Sequence, residues 1–230
     1  MVVKWSNFDN GMILPMRNTT HNTRRNTAQH KNRATTRDST GRRYPLPQGA
    51  LRALLNESAS LTRHLSELLR QPITAEILEQ KRVPLNKAWC QALHQRSSAL
   101  WHQRSACLKS DSGPWVLAQT LLPSTALDQC NNRVVHDCGT QPIGNVLFTH
   151  APTLQRRWIF CGQICVDSLP EYWQSLWRKS QRDHSQHGLS QHDHCCHRAW
   201  VRQSVLLTTP KPLAVTEIFL NRFCQHVQSA

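Results

Sequence analysis

Pro212-Leu213-Ala214-Val215-Thr216-Glu217-Ile218-Phe219-Leu220 reads as a half-buried or fully buried strand interrupted by one carboxylate. Side chains alternate across a strand, so Glu217 shares a face with Leu213, Val215 and Phe219. A carboxylate on an apolar face is costly to bury unless a partner neutralises it or it stays protonated. On pattern alone two readings carry equal weight. In the first, Glu217 binds a polar ligand from inside a pocket, because buried ionisable groups gather at functional sites. In the second it faces water from an edge strand, or serves as the structural partner of a core Arg.

Working outward from that strand, Thr208-Thr209-Pro210-Lys211-Pro212 is a turn, with Ser204–Thr209 and Leu154–Cys165 reading as earlier strands. Ala99–Leu108 and Trp115–Leu122 flank Lys109-Ser110-Asp111-Ser112-Gly113-Pro114, whose polar, Gly and Pro residues predict a hairpin. Residues 73–84 fit a strand that turns at Pro84. Toward the front, Ala50, Leu51, Leu54 and Leu55 form a short helical stripe. Leu61, Leu65, Leu68 and Leu69 form a second, with Ser60 as N-cap. Short helical elements are also expected at Pro123-Ser124-Thr125-Ala126-Leu127 and over Pro142–Phe148. Strands joined by tight turns, with helices grouped ahead of them, indicate an α+β domain built on an antiparallel sheet.

The domain is expected to run from residue 48 to 230, behind a basic, disordered extension over 1–47. That extension is rich in Asn, Thr, Arg and His and lacks a period, so it buries too little apolar surface to offset its ordering entropy. It also holds half of the net charge of +14: Lys4, Arg17, Arg24, Arg25, Lys31, Arg33, Arg37, Arg42 and Arg43 stand against Asp9 and Asp38. Such charge favours polyanions, and it equally suits a domain whose substrate is a dianion. No apolar run approaches the roughly 20 residues that cross a bilayer, and the N-terminus has no secretory pattern. The nine Cys are odd in number and several sit among apolar residues, which points to a reducing cytoplasm.

Arg104 is the second residue of interest. In a strand ahead of the hairpin it shares a face with His102, Ala106 and Leu108, and its planar fork suits a carboxylate. Alone it reads more readily as a solvated surface Arg. Paired with Glu217 in one apolar layer, it could grip one end of a small ring acid while Glu217 meets the other. His184, His187, His192, His194, Cys195, Cys196 and His197 have ligand types that zinc accepts. They lie in a single Gln/Ser-rich stretch without a second ligand pair, so no metal site is assigned. Nucleophile and phosphate-loop motifs are absent from the sequence. The eight Trp are scattered and do not form a stacking platform.

Several segments together resemble the bacterial chorismate lyase (chorismate–pyruvate lyase) family. They are Ser60-Leu61-Thr62 leading the Leu-rich helix, Arg104, Gly113-Pro114-Trp115, and Thr120-Leu121-Leu122-Pro123. Pro142-Ile143-Gly144-Asn145-Val146-Leu147-Phe148, Trp200-Val201-Arg202-Gln203-Ser204 and Lys211–Leu220 complete the set, in order, from about residue 50 to 222. The resemblance implies an antiparallel sheet with helical flaps over a buried ligand pocket. It implies conversion of chorismate to 4-hydroxybenzoate and pyruvate, the first committed step of ubiquinone synthesis, without metal or organic cofactor. Carried over by position, Arg104 holds the ring carboxylate with backbone groups at Leu61 and Ile143, and Glu217 meets the ring hydroxyl. Glu217 is expected to have a raised pKa, and Glu217→Gln to keep the fold while impairing turnover.

Two departures stand out. Gln119 and Gln203 occupy positions where the family commonly has Arg, which bears on the grip on a second carboxylate. The Trp-, His- and Gln-rich stretch 169–198 reads as an inserted loop. The expected protein is a cytoplasmic monomer without an obligatory protein partner. A non-enzymatic sensor of small aromatic acids with the same fold is the runner-up. Nucleic-acid contact through the basic tail ranks third.

Overall fold

The computed structural model of the protein describes residues 35–37, 43–45, 49–96, 100–123, 139–150, 154–169, 171–182, 198–207 and 212–229. Two short strands come first, β1 (Thr35–Arg37) and β2 (Arg43–Pro45), paired antiparallel. They depart from the disorder expected for residues 1–47, because six residues there give their backbone groups to a ladder. The remainder of that segment lies outside the described residues.

Helices α1 (Gly49–Leu55) and α2 (Leu61–Leu69) follow, then β3 (Thr74–Pro84), α3 (Lys87–Leu93), β4 (Leu100–Ser110) and β5 (Gly113–Pro123). After them come α4 (Ile143–His150), β6 (Arg156–Cys165), a 3-10 turn (Val166–Ser168) and α5 (Glu171–Arg182). The last elements are β7 (Arg198–Leu206), β8 (Leu213–Phe219) and α6 (Asn221–Ser229). Six strands form one sheet in the order β3-β4-β5-β8-β7-β6, every neighbouring pair antiparallel. The α+β class read from the sequence therefore holds. β8 is central, and all seven of its residues are buried.

Both faces of the sheet are covered. On one, Leu51, Leu54 and Leu55 of α1, Leu65 of α2 and Phe223 of α6 pack with Val116 and Phe219. On the other, Trp173 and Trp177 of α5 pack with Leu117, Val201 and Ile218, and Trp89 of α3 packs with Trp101, Leu121 and Val205. Helix α5 corrects the reading of 169–198 as a loop. Trp173, Leu176 and Trp177 recur at the helical period and face the sheet, a signal that the stretch's polar composition hides. The strand expected at Ser204–Thr209 starts instead at Arg198, so Arg202 and Gln203 lie inside the sheet.

Local chemistry fixes the turns that aim the site. Between β4 and β5 the chain reverses at Asp111-Ser112, and Gly113 takes φ +125°, which a side chain rarely adopts. Trp115 Nε1 donates to Ser110 Oγ at 2.9 Å and locks that end of the hairpin. The helix expected at 123–127, the turn at 208–211 and the His/Cys cluster at 184–197 fall largely outside the described residues. Pro123 closes β5 and Pro212 stands just before β8. Among the described residues no helix is long and apolar enough to cross a membrane.

Candidate active site

Register brings the inward side chains of four strands to one place. Arg104 of β4 stands opposite Thr120 of β5, which stands opposite Val215 of β8. In the adjacent row Ala106, Ala118, Glu217 and Arg202 are aligned across β4, β5, β8 and β7. Two strand spacings and two residues along put the Cα atoms of Arg104 and Glu217 about 12 Å apart. Arg104, Leu61, Ile143 and Glu217 all line a single cavity of about 40 Å³ between α2, α4 and the sheet. Thr62, Gly144, Thr120 and Arg156 complete its polar and small-residue wall.

The end near Arg104 is rich in donors. Leu61 and Ile143 are the first residues of α2 and α4, where helical N–H groups have no intrahelical partner and the helix dipole favours an anion. Ser60 caps α2 as expected, its Oγ accepting from Arg63 N at 3.3 Å. The same Oγ donates to Asn145 Oδ1 of α4 at 3.1 Å, so the two helix starts are tied together. Arg104 Nη2 donates to the carbonyls of Gly139 at 2.7 Å and Gln141 at 3.2 Å, which holds the segment leading into α4. This corner suits a carboxylate: one buried guanidinium beside two helix N-termini.

Close approach of the helix starts depends on Gly144. A Cβ there would meet Ser60 Oγ at 3.2 Å and Thr62 Oγ1 at 3.5 Å. Gly144→Val is therefore expected to wedge α4 from α2 and to cost about 1–3 kcal/mol of stability through overpacking. Urea unfolding checks this, and a midpoint equal to the wild type's would show that the contact has slack.

The opposite end differs from what the sequence suggested. Glu217 does not sit among apolar groups alone. Arg202, fully buried, donates to both carboxylate oxygens, from Nε to Oε2 and from Nη2 to Oε1 at 3.1 Å. Arg156 Nη1 lies 3.4 Å from Oε2 and donates to Ser204 Oγ at 2.9 Å. Arg202 also donates to the carbonyls of Leu54 and Glu57. Burial by itself raises the pKa of Glu217, but Arg202 and then Arg156 outweigh it, and the net shift is downward. The expectation of a raised pKa is thus overturned: two guanidiniums keep the carboxylate ionised.

The shift has a consequence for stability. A carboxyl whose folded pKa is depressed contributes stability above its unfolded pKa and loses it as pH falls through the folded value. Unfolding free energy should be level from neutral pH to about 5 and fall below about 4.3, the unfolded pKa of a Glu. Glu57, lowered by its bond to Ala59 N and by His64 despite its own burial, adds to the same window. Urea melts at pH 7, 5, 4 and 3 test this, and equal midpoints at pH 7 and 3 would contradict it.

Sequence reasoning missed Arg156 and Arg202. Arg157, next along β6, points to the other face and donates to the carbonyl of Ala92 in α3. Only strand register says which of the two adjacent arginines turns inward. Gln119 and Gln203 also lie on the face away from the cavity, in a buried row with Ser105 and Thr216. Neither side chain lines the cavity. Cys107, Cys161 and Cys224 offer little nucleophilicity: burial pushes Cys107 and Cys224 up to about 12 and Cys161 up to about 11.

Comparison with known proteins bears on this cavity. Over 130 residues the chain is 29% identical to the probable chorismate pyruvate-lyase of Bartonella bacilliformis, covering 56% of each chain. It is 31% identical over 117 residues to the chorismate pyruvate-lyase of Photorhabdus laumondii, covering 51% of this chain and 49% of that one. The match thus spans about half the length of these curated relatives. Among solved structures, PhnF from Mycobacterium smegmatis superposes with a TM-score of 0.46 at 12% identity, over 73% of this chain and 66% of that one. The family described as chorismate lyase matches residues 31–229, which include the whole six-stranded sheet and every wall of the cavity. The chain belongs to the chorismate lyase family.

Proposed function

We propose that the protein converts chorismate to 4-hydroxybenzoate and pyruvate in the cavity between α2, α4 and the sheet. One observation carries this reading beyond family membership: a donor-rich corner and a paired carboxylate face each other across a single cavity. Arg104 and the N–H groups of Leu61 and Ile143 bind the ring carboxylate. Glu217, held ionised by Arg202 and Arg156, accepts a hydrogen bond from the ring hydroxyl. With the ring fixed at both ends, the ether C–O bond breaks and its electron pair leaves with the enolpyruvyl oxygen. The C–H proton on the hydroxyl-bearing ring carbon is lost as the ring becomes aromatic, and one proton taken up by the methylene carbon of the enolpyruvate balances it and completes pyruvate.

Aromatisation supplies the driving force, so the protein's share is orientation and electrostatic stabilisation. Neither task calls for a metal or organic cofactor. Helices α2 and α4 act as flaps that exclude water, which strengthens each charged contact. In this reading the enzyme is a cytoplasmic monomer that needs no protein partner and serves the first step of ubiquinone synthesis.

The test is direct. Purified protein with chorismate should release 4-hydroxybenzoate, followed by its absorbance, and pyruvate in equal amounts. Binding of 4-hydroxybenzoate without any turnover of chorismate would replace the enzyme with a small-acid binder.

A further inference from the structure

Arg156 remains only partly used by the fold. Its side chain is 3% exposed and it lines the cavity beside Glu217. Arg202 is consumed by structure, with two bonds to Glu217, one to the Leu54 carbonyl in the last turn of α1 and one to the Glu57 carbonyl just beyond it. Arg156 is held more loosely: 2.9 Å to Ser204 Oγ, 3.4 Å to Glu217 and 3.4 Å to the carbonyl of Ala59. Its Nε is buried without a hydrogen-bond partner. An unmade bond on a buried guanidinium is costly, so such an atom marks where a ligand can supply the acceptor. The rings of Trp158 and Phe148, 5.3 and 6.0 Å from its guanidinium carbon, form apolar walls around it.

Charge points the same way. The buried layer holds the guanidiniums of Arg104, Arg156 and Arg202 against the one carboxylate of Glu217. Glu57, half-buried outside the cavity wall and bonded to His64 at 2.8 Å, offsets part of this charge through its attraction to Arg202 and Arg156. Buried cations in excess favour an anionic ligand that makes up the difference. A ring monocarboxylate on Arg104 answers one of them and leaves another. A substituent on the ring position next to the hydroxyl would emerge beside Glu217, on the side where Arg156 lies. Gln119 and Gln203 are on the wrong face to reach it.

We propose that Arg156 binds the second carboxylate of the substrate, the one on the ether side chain, and so makes the site select a dicarboxylate over a monocarboxylate. The inference rests on the proposed reading of the cavity and names the residue that sets its substrate class. Removing Arg156 leaves the Arg202–Glu217 pair neutral and intact, so Arg156→Met is compatible with folding, which a thermal melt verifies.

Calorimetry with two non-reacting probes tests the inference: 4-hydroxybenzoate and 3-(carboxymethoxy)-4-hydroxybenzoate, which adds a carboxylate at the ether position. Arg156→Met should weaken the dicarboxylate on the order of 10–100-fold, the size of a charged hydrogen-bond pair, and weaken 4-hydroxybenzoate far less, because Arg202 still pairs with both oxygens of Glu217. Arg156→Lys, which restores charge without the fork, should recover part of the loss. Equal weakening of both probes would reduce Arg156 to a structural group and overturn the inference. So would an unchanged dicarboxylate affinity. Wild type that binds 4-hydroxybenzoate but not the dicarboxylate would overturn the inference alone. Wild type that binds neither would overturn the reading of the cavity and the inference with it.

Discussion

Glu217→Ala should lower the unfolding free energy by about 3–5 kcal/mol, the cost of breaking a buried ion pair from one side. The loss arises because Arg202, fully buried, and Arg156, nearly so, would be left facing each other without the carboxylate they share. Turnover should vanish with it, since the hydroxyl end of the ring would lose its acceptor. Glu217→Gln keeps the shape but offers two guanidiniums one neutral amide. It is therefore expected to lose stability as well as activity, against the simpler expectation of a silent fold. Urea unfolding at neutral pH gives the magnitude. Replacing both partners, Glu217→Leu with Arg202→Met, should regain much of the stability without activity, because apolar side chains leave no charge uncompensated. A loss below about 1 kcal/mol in Glu217→Ala, the range of exposed ion pairs, would mean the triad is solvated.

Arg104→Ala is expected to reduce kcat/KM for chorismate by on the order of 100-fold. A charged hydrogen-bonded contact supplies about 1.5–3 kcal/mol, and each 1.4 kcal/mol is tenfold. Part of the effect comes through the backbone. Arg104 also holds the carbonyls of Gly139 and Gln141, so its loss frees the segment that leads into α4, whose first residue, Ile143, lines the cavity. Arg104→Lys should retain the charge and lose the fork that reaches both carbonyls, with an intermediate defect. Steady-state kinetics together with 4-hydroxybenzoate affinity check this. Wild-type affinity for 4-hydroxybenzoate in Arg104→Ala would remove the ring carboxylate from this corner.

How much of this was legible in the sequence depends on the kind of order each residue obeys. Strand alternation is local, so Arg104 and Glu217 could each be assigned neighbours on a face of its own strand, and the hairpin residues at 109–114 fixed where β4 turns back. That the two faces coincide follows from pairing through β5. Leu61 and Ile143 came from the family resemblance, and both turn out to begin a helix at the cavity wall. The protonation state of Glu217 was not legible. It depends on Arg202 and Arg156, which reach it through the β7–β8 register and a bulge in β6 between Trp158 and Phe160. Register is a tertiary property: a shift of one residue would bring Gln203 and Arg157 inward instead. Helix α5 was hidden for another reason. Trp173, Leu176 and Trp177 carry its period, but the Gln- and His-rich composition around them dominated the reading.

The hydrogen bond from Ser60 to Asn145 joins the tips of α2 and α4 and makes them one latch rather than two doors. A ring cannot slip in by lifting a single helix, because the other is pulled along or the bond must break. Opening is then a property of the pair, with one rate that entering substrate and departing product share. In the proposed reaction product leaves no faster than this latch unfastens, which sets a ceiling on turnover whatever the speed of the chemistry at the ring.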